Sequence, residues 1–495
     1  MEQKPEPKTK YGLHLIIPIL FLVALMAAIQ FQVPEIIGYD GYLHIRMADL
    51  IREKGFFQEF PYTTATILTE GYANLQWLFH VLLIPFTFLG LMLGAKIGAI
   101  IASSMFFIVF YWFLKKRDTP YPALWTILLI FASVDFTYRL HLGRPLPLAL
   151  IGLILTMYLL QKRAYLLLSV ITLFYTWLYP GVIIQIFIIL SFALFIFLTE
   201  KKFPYKLLIF PFLGFLAGMV INPYFPKNFP SLYTQIVQVN LLGNIFNQEW
   251  RAWSLLELIT YNWVPVMLVV LGIFQVLRSK KAARESIFYL GLASFFFVYM
   301  LKTRRMHEYF LPFSLLFSAT TIGEQEFAAF NKAGWGKALK SIAILAILLF
   351  SIFQYGHLSS EIKNNQFLPW YLEGALWLKE NTKEGDLIFI NGYSFAYLFF
   401  YNPQLRYTHG VDLTYSALQD NDKFNSYMAV LQGRDPGYNI IKADYSPTYI
   451  FAGKIKQDIN LFNFILKYKD DFELVYEDES VGILKVKYAP APAQN

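Results

Sequence analysis

Cysteine is missing from all 495 residues, which excludes disulfides, thiolate nucleophiles and Cys-ligated metals and leaves the redox compartment open. Charge is scarce as well: 15% of residues are Asp, Glu, Lys or Arg, against 56% hydrophobic and 18% aromatic, with a mean hydropathy of +0.44. A soluble globular chain of this length cannot hide that much apolar surface, so the composition specifies a polytopic membrane protein. Acidic residues are the scarcer sign, 34 against 42 basic, for a formal charge of +8. The basic excess is confined to one part: 29 basic against 17 acidic residues up to position 357, and 13 against 17 beyond it. Such an excess in the apolar part serves membrane topology, not nucleic acid. Internal repeats, low-complexity tracts and sets of histidines at metal-ligand spacing are also missing.

What is present is a series of long apolar runs. The first, roughly 11–33, is long enough to span and has no small-residue cleavage site after a short core, so it reads as a retained helix. Further runs near 95–114, 121–138, 145–161, 164–180, 181–199, 205–222, 262–278, 286–301, 309–323 and 338–356 bring the expected spans to about eleven. Lys4, Lys8 and Lys10, then Lys115-Lys116-Arg117, Lys162-Arg163, Lys201-Lys202, Arg278 to Arg284 and Lys332 to Lys340 fall on one side, which the positive-inside rule makes the cytoplasm. Residues 74–93 are apolar too, but counting them as a span would export all of those clusters, so they read as a juxtamembrane or re-entrant helix. The N-terminus is then cytoplasmic, and loops 34–94, 139–144, 223–261 and 302–308 are external on a multi-pass protein of the cell membrane.

Those external loops collect the ionisable groups: Asp40, His44 and Glu70 in the first, Asp135, Arg139, His141 and Arg144 at the second, Glu249 and Arg251 in the third, and Arg304, Arg305, His307 and Glu308 in the last. Ionisable groups at a membrane boundary are costly unless they have a task or a partner. From residue 357 the charges become dense and the apolar runs short, which predicts a separate external α/β domain over 357–495. Its expected elements are helices near 370–379, 393–401 and 456–468, strands at 386–390, 447–452, 472–477 and 480–487, and an extended segment at 405–408.

The segment Tyr39-Asp40-Gly41-Tyr42-Leu43-His44-Ile45-Arg46 resembles the first external loop of the GT-C glycosyltransferases, and most of all the Asp-x-Tyr-x-His-x-Arg segment of the oligosaccharyltransferase catalytic subunit. The Gly143-Arg144-Pro145 segment, the Arg304-Arg305 pair, the helix layout and the α/β tail resemble the wider superfamily. The resemblance implies an inverting membrane glycosyltransferase with a GT-C-like bundle over 1–356. Such an enzyme moves a sugar from a polyprenyl-phosphate carrier to a glycan, lipid or protein acceptor on the external face. Because the phosphate leaves as a stable anion, one carboxylate suffices as base, and guanidinium groups hold the phosphate.

Asp40 is the expected base or acceptor-orienting carboxylate, against the alternative that it caps the helix that follows. His44, one turn on, is a candidate contact to phosphate or acceptor; Arg46 is expected to pair with Asp49. Arg139, His141 and Arg144 are candidate substrate ligands, or snorkel to headgroups. In oligosaccharyltransferases a second-loop carboxylate helps bind a divalent metal; only Asp135 matches, without an acidic partner, so at most a weakly held Mg²⁺ or Mn²⁺ is expected and no metal site is assigned. Arg304, Arg305 and His307 are candidate phosphate ligands, with pairing to Glu308 as the alternative. Glu249 lies in a loop similar to the mobile loop of GT-C enzymes, or simply pairs with Arg251; Glu70 is a weaker candidate. Gly410-Val411-Asp412-Leu413-Thr414-Tyr415 resembles a Gly-Leu-Asp-Pro-like turn of some bacterial GT-C tails but lacks the Pro, and reads as a structural turn. Two other functions fit parts of the pattern. An oligosaccharyltransferase proper would carry a Trp-Trp-Asp-Tyr-Gly signature, which residues 357–495 lack, and a lipid-linked glycan flippase would show inverted repeats and mid-membrane charges.

Overall fold

A computed structural model describes residues 13–239, 248–279, 284–322, 336–366, 368–437, 439–455 and 458–488. The flanking residues Lys4, Lys8, Lys10, Tyr11, Lys280, Lys281 and Lys332, the loop residue Asn247 and the tail 489–495 lie outside them.

Each apolar run expected to span is helical. The first stretch holds α1 (Leu13–Gln30), α2 (Asp40–Lys54), the single turn α3 (Leu68–Gly71), α4 (Trp77–Thr87) and α5 (Leu91–Lys116). Next come α6 (Pro122–Phe131), α7 (Val134–Leu140), α8 (Leu146–Lys162), α9 (Tyr165–Leu178), α10 (Val182–Glu200) and α11 (Tyr205–Val220). Leu255–Ser279, Arg284–Met300, His307–Thr321 and Gly336–Asn364 complete the bundle. Among the described residues four helices are long and apolar enough to cross a membrane by themselves. Several shorter apolar helices accompany them, and large apolar side chains such as Leu190, Leu194, Phe212 and Leu213 are exposed on the outside. The chain is an integral membrane protein.

The expected span 121–138 needs correcting, because α6 and α7 meet at 90°. Ser133 leaves the helical region at φ −151°, ψ 126°, and the Thr137 hydroxyl donates back to the Ile130 carbonyl across the break. By contrast, α4 has 11 residues and is about 16 Å long, half of a ~30 Å hydrocarbon core. Lys96, buried near the start of α5, donates to the Val33 carbonyl at 2.5 Å and lies 5.1 Å from the Phe31 ring. A cation thus closes the C-terminal end of α1 where the loop to Asp40 departs.

The helix Gly336–Asn364 runs through residue 357, so the tail domain begins later than expected, at the 3₁₀ turn Leu368–Tyr371. Its helices Leu372–Asn381, Phe395–Tyr401 and Ile459–Ile465 and its strands β1 (Leu387–Phe389), β2 (Arg406–Tyr407), β3 (Tyr449–Gly453), β4 (Phe472–Glu477) and β5 (Val481–Val486) fall where the pattern placed them. Two helices were not expected, Thr414–Gln419 and Asn421–Leu431. The sheet runs β2-β1-β3-β5-β4, with β1 parallel to β2 and β3, and β5 antiparallel to β3 and β4.

The edge at β2 is not left open. Tyr407 N–H donates to Tyr62 O at 2.9 Å, Thr64 N–H to Tyr407 O at 2.9 Å and Ala65 N–H to Thr408 O at 2.8 Å, so the segment between α2 and α3 extends the tail's sheet. Arg46 adds a second link: it pairs with Asp49 at 2.6 Å, as expected, and its Nε donates to the Phe400 carbonyl at 2.9 Å. The loop that carries Asp40 and the tail are therefore packed together.

Candidate active site

Asp40 is the first residue of α2 and makes no capping hydrogen bond; the preceding position is Tyr39. The cap alternative therefore fails. The Asp40 carboxylate accepts instead from Arg144, Nη2 to Oδ2 at 2.8 Å, and its side chain remains 21% exposed. What brings the two together is a backbone contact between Gly41 and Gly143. A Cβ on Gly143 would lie 2.9 Å from Gly41 Cα, and Gly143 has φ +69°, a conformation costing L-residues about 1–2 kcal/mol. Gly143→Ala should therefore separate the Asp40 and Arg144 loops, lowering both the melting temperature and transfer by about tenfold or more. Parental activity in a Gly143→Ala protein would remove this contact from the account.

Glu249 does not pair with Arg251. Its carboxylate lies 2.7 Å from Arg144 Nη2, 3.2 Å from Arg139 Nη1 and 3.9 Å from Arg305 Nη1. Three guanidinium groups, two from the 139–144 segment and one from the 302–308 segment, thus surround one carboxylate beside Asp40. Arg139, itself buried, also donates from Nε to Glu308 at 2.7 Å, and Arg305 donates to the Tyr179 hydroxyl at 3.2 Å. The two carboxyls are displaced in opposite directions. Burial raises Asp40 most, with Arg144 drawing it down and Glu249 adding to the rise, and the net result lies above the ordinary aspartate range. Burial also raises Glu249, but Arg139, Arg144 and Arg305 outweigh it and hold that carboxyl well below its ordinary range. Asp40 is the one suited to take a proton, and Glu249 stays an anion.

The other candidates separate. Arg304 is turned aside: its Nη2 binds both Glu257 oxygens at 2.6 and 2.7 Å, and its guanidinium lies 4.9 Å from the Trp253 ring. Arg305 faces Trp250 at 5.1 Å. His307 is fully buried between Phe136 and Trp253, with ring centroids 6.2 and 6.0 Å away. His141 is buried and donates from Nδ1 to the Thr137 carbonyl at 2.9 Å, a bond within its own turn. Burial pushes the His307 imidazole down to about 4, with Asp135 opposing the fall and Arg139 adding to it, whereas the charges that bear on Asp40 are Arg144, Glu249 and Arg305. Glu70 is exposed. His44 meets His80, Nδ1 to Nε2 at 2.9 Å.

Asp412 is the residue the sequence reading passed over. Its Oδ1 accepts from Thr414 N–H at 3.0 Å, which fits the expected turn, yet the carboxyl also lies within the electrostatic reach of Arg305 and Glu249. The tail thereby places a carboxylate where the charges of the guanidinium cluster act on it. The Asp in a turn following Gly410 was the available signal, and the missing Pro argued against it.

No family model matches the sequence, and no curated protein does. Solved structures do match in fold. Over 99% of this chain and 76% of theirs, it is similar to the apo oligosaccharyltransferase of Archaeoglobus fulgidus, at 11% identity and a TM-score of 0.63. The complex of the archaeal oligosaccharyltransferase AglB with an inhibitory peptide and a dolichol-phosphate gives 11% identity and a TM-score of 0.61, over 89% of this chain and 69% of that one. ArnT from Cupriavidus metallidurans bound to undecaprenyl phosphate gives 11% identity and a TM-score of 0.57, over 96% and 98%. The chain shares the membrane fold of these oligosaccharyltransferase and ArnT structures.

Proposed function

We propose that the chain is a membrane glycosyltransferase that moves a sugar from a polyprenyl-phosphate carrier to an acceptor hydroxyl, with inversion, on the external membrane face. The observation that carries this reading is Asp40 at 2.8 Å from one guanidinium of a group of three. The acceptor oxygen attacks the anomeric carbon and its proton passes to Asp40. The bond from that carbon to the carrier's phosphate breaks, and its electron pair stays on the phosphate oxygen. Arg139, Arg144 and Arg305 offset the charge that develops there, as preorganised donors do. His44 lies within the electrostatic reach of Arg144, and Asp412 within that of Arg305 and Glu249. The test is transfer by purified protein from a panel of polyprenyl-phosphate sugars to glycan, lipid and peptide acceptors. No transfer from any member would end this reading.

A divalent ion fits this site poorly. Beside Asp40 the neighbour is the Arg144 guanidinium, where a metal would need a second carboxylate, and Glu249 is already held by three cations. Transfer should therefore persist in chelator, and full loss restored by manganese or magnesium would revive protein glycosylation of the oligosaccharyltransferase kind.

The proposed orientation counts α6 and α7 together as one broken crossing among eleven and puts the N-terminus in the cytoplasm and the tail outside. The chain has no cysteine of its own, so single cysteines introduced at Asp118 and Asp420 report on it cleanly. An impermeant thiol reagent should label position 420 and spare 118 in intact cells. Labelling of 118 alone would invert the assignment.

A further inference from the structure

The hydrogen bonds behind His44 permit one arrangement of protons. The Asn74 side-chain oxygen accepts from Gln76 N–H at 3.0 Å, and a backbone N–H can only donate, so the amide nitrogen of Asn74 faces the other way. That nitrogen meets His80 Nδ1 at 2.8 Å. An amide nitrogen cannot accept, so His80 Nδ1 is the bare, accepting nitrogen and the proton of its neutral ring sits on Nε2. His80 Nε2 lies 2.9 Å from His44 Nδ1 and donates to it. His44 Nδ1 is then bare in turn, and its proton sits on Nε2. The opposite assignment would set the His80 Nδ1 proton against the Asn74 amide hydrogens. Asn74 and His80 are both buried, whereas His44 is partly exposed, with the Phe79 ring edge-on at 5.3 Å. Burial first, and Arg144 nearby, push the His44 imidazole down to about 3, so it stays neutral.

We propose that Asn74 and His80 are positioning residues that fix His44 as a neutral Nε2–H donor, so that His44 binds an anionic oxygen of the sugar donor and cannot take the acceptor's proton. The inference rests on the proposed transfer reaction for its purpose but not for its geometry. Neither Asn74 nor His80 bears a charge or follows a recognisable motif; the relay is visible only once α2 and α4 are packed side by side. It leaves proton removal to Asp40 alone, one turn earlier on α2.

The test begins with the ring nitrogens of histidine-labelled protein, read by ¹⁵N NMR and assigned with His44→Gln and His80→Leu. In the parent, Nε2 of both rings should carry the proton and Nδ1 should be bare. Asn74→Leu should remove that bias and let both rings exchange between tautomers. His80→Gln keeps a nitrogen donor at the place of Nε2, and should preserve the His44 pattern and hold undecaprenyl phosphate binding within about threefold of the parent. His80→Leu removes the donor, and binding should weaken by about fivefold or more, the worth of one hydrogen bond. A parent in which His44 carries its proton on Nδ1 overturns the proposal. So does a His80→Gln protein that changes as much as His80→Leu, which would make His80 a packing residue. The nitrogen pattern is read without any sugar donor, so its failure is distinct from a failure to find transfer.

Discussion

Asp40→Asn should lower transfer by about 10²-fold or more while the protein folds as before, the magnitude expected when a general base is lost. The substitution is close to isosteric, and the side chain it alters does not cap α2, so no helix-stabilising bond is removed with it. An Asn oxygen can still accept from Arg144, which keeps the loops in place while the basic electron pair goes. The pH profile carries a second signature. A base works only when deprotonated, so activity falls as the pH drops through its folded-state value, and that limb should lie above the ordinary aspartate range because the Asp40 carboxyl is raised. Arg144 opposes that rise, so Arg144→Gln should move the limb to still higher pH. If Asp40→Asn transfers sugar as fast as the parent, another group removes the proton.

Glu249→Gln is expected to have the next largest effect, and in two opposed directions. The carboxylate neutralises Arg139, Arg144 and Arg305, so its loss leaves three crowded cations and should lower the melting temperature; breaking a buried pair costs about 3–5 kcal/mol. Arg139 would keep Glu308 and Arg144 would keep Asp40, but the faces of all three guanidinium groups that Glu249 occupied would then be open to a phosphate. Undecaprenyl phosphate should bind Glu249→Gln about tenfold or more tightly than it binds the parent and restore the lost thermal stability, in line with about 1.5–3 kcal/mol for a charged hydrogen bond. An equal loss of stability with no tightening would mean that Glu249 holds the loops together and that the phosphate binds elsewhere.

The sequence carried the helices well because each apolar run is written in consecutive residues, and it carried Asp40 because that residue follows such a run directly. Local writing has limits, and they show at specific places. The break between α6 and α7 depends on Ser133 leaving the helical region and on Thr137 bonding back across the gap, neither of which interrupts the apolar pattern. Glu249 was a site candidate whose alternative was a pair with Arg251, two residues away, whereas its partners Arg139 and Arg144 lie more than a hundred positions earlier in the chain. Arg304 and Arg305 were indistinguishable as neighbours in sequence, yet one turns to Glu257 and the other to the Glu249 cluster. Asp412 and the Asn74–His80 pair acquire meaning only from packing, since no spacing rule links residues 40, 80 and 412.

The joining of Tyr62–Ala65 to the strand at Tyr407 also sets a timetable for synthesis. More than 340 residues of chain separate the two partners, so the loop is made long before the strand it pairs with. Until then the Asp40 loop has no sheet to rest on and Arg46 has no Phe400 carbonyl to bind. Contacts of such long separation form last, after the intervening helices have inserted. A ribosome that stops before residue 407 therefore leaves Asp40, Arg139 and Arg144 made and none of the scaffold that sets their spacing, so on the proposed reading the site is assembled only when the tail arrives.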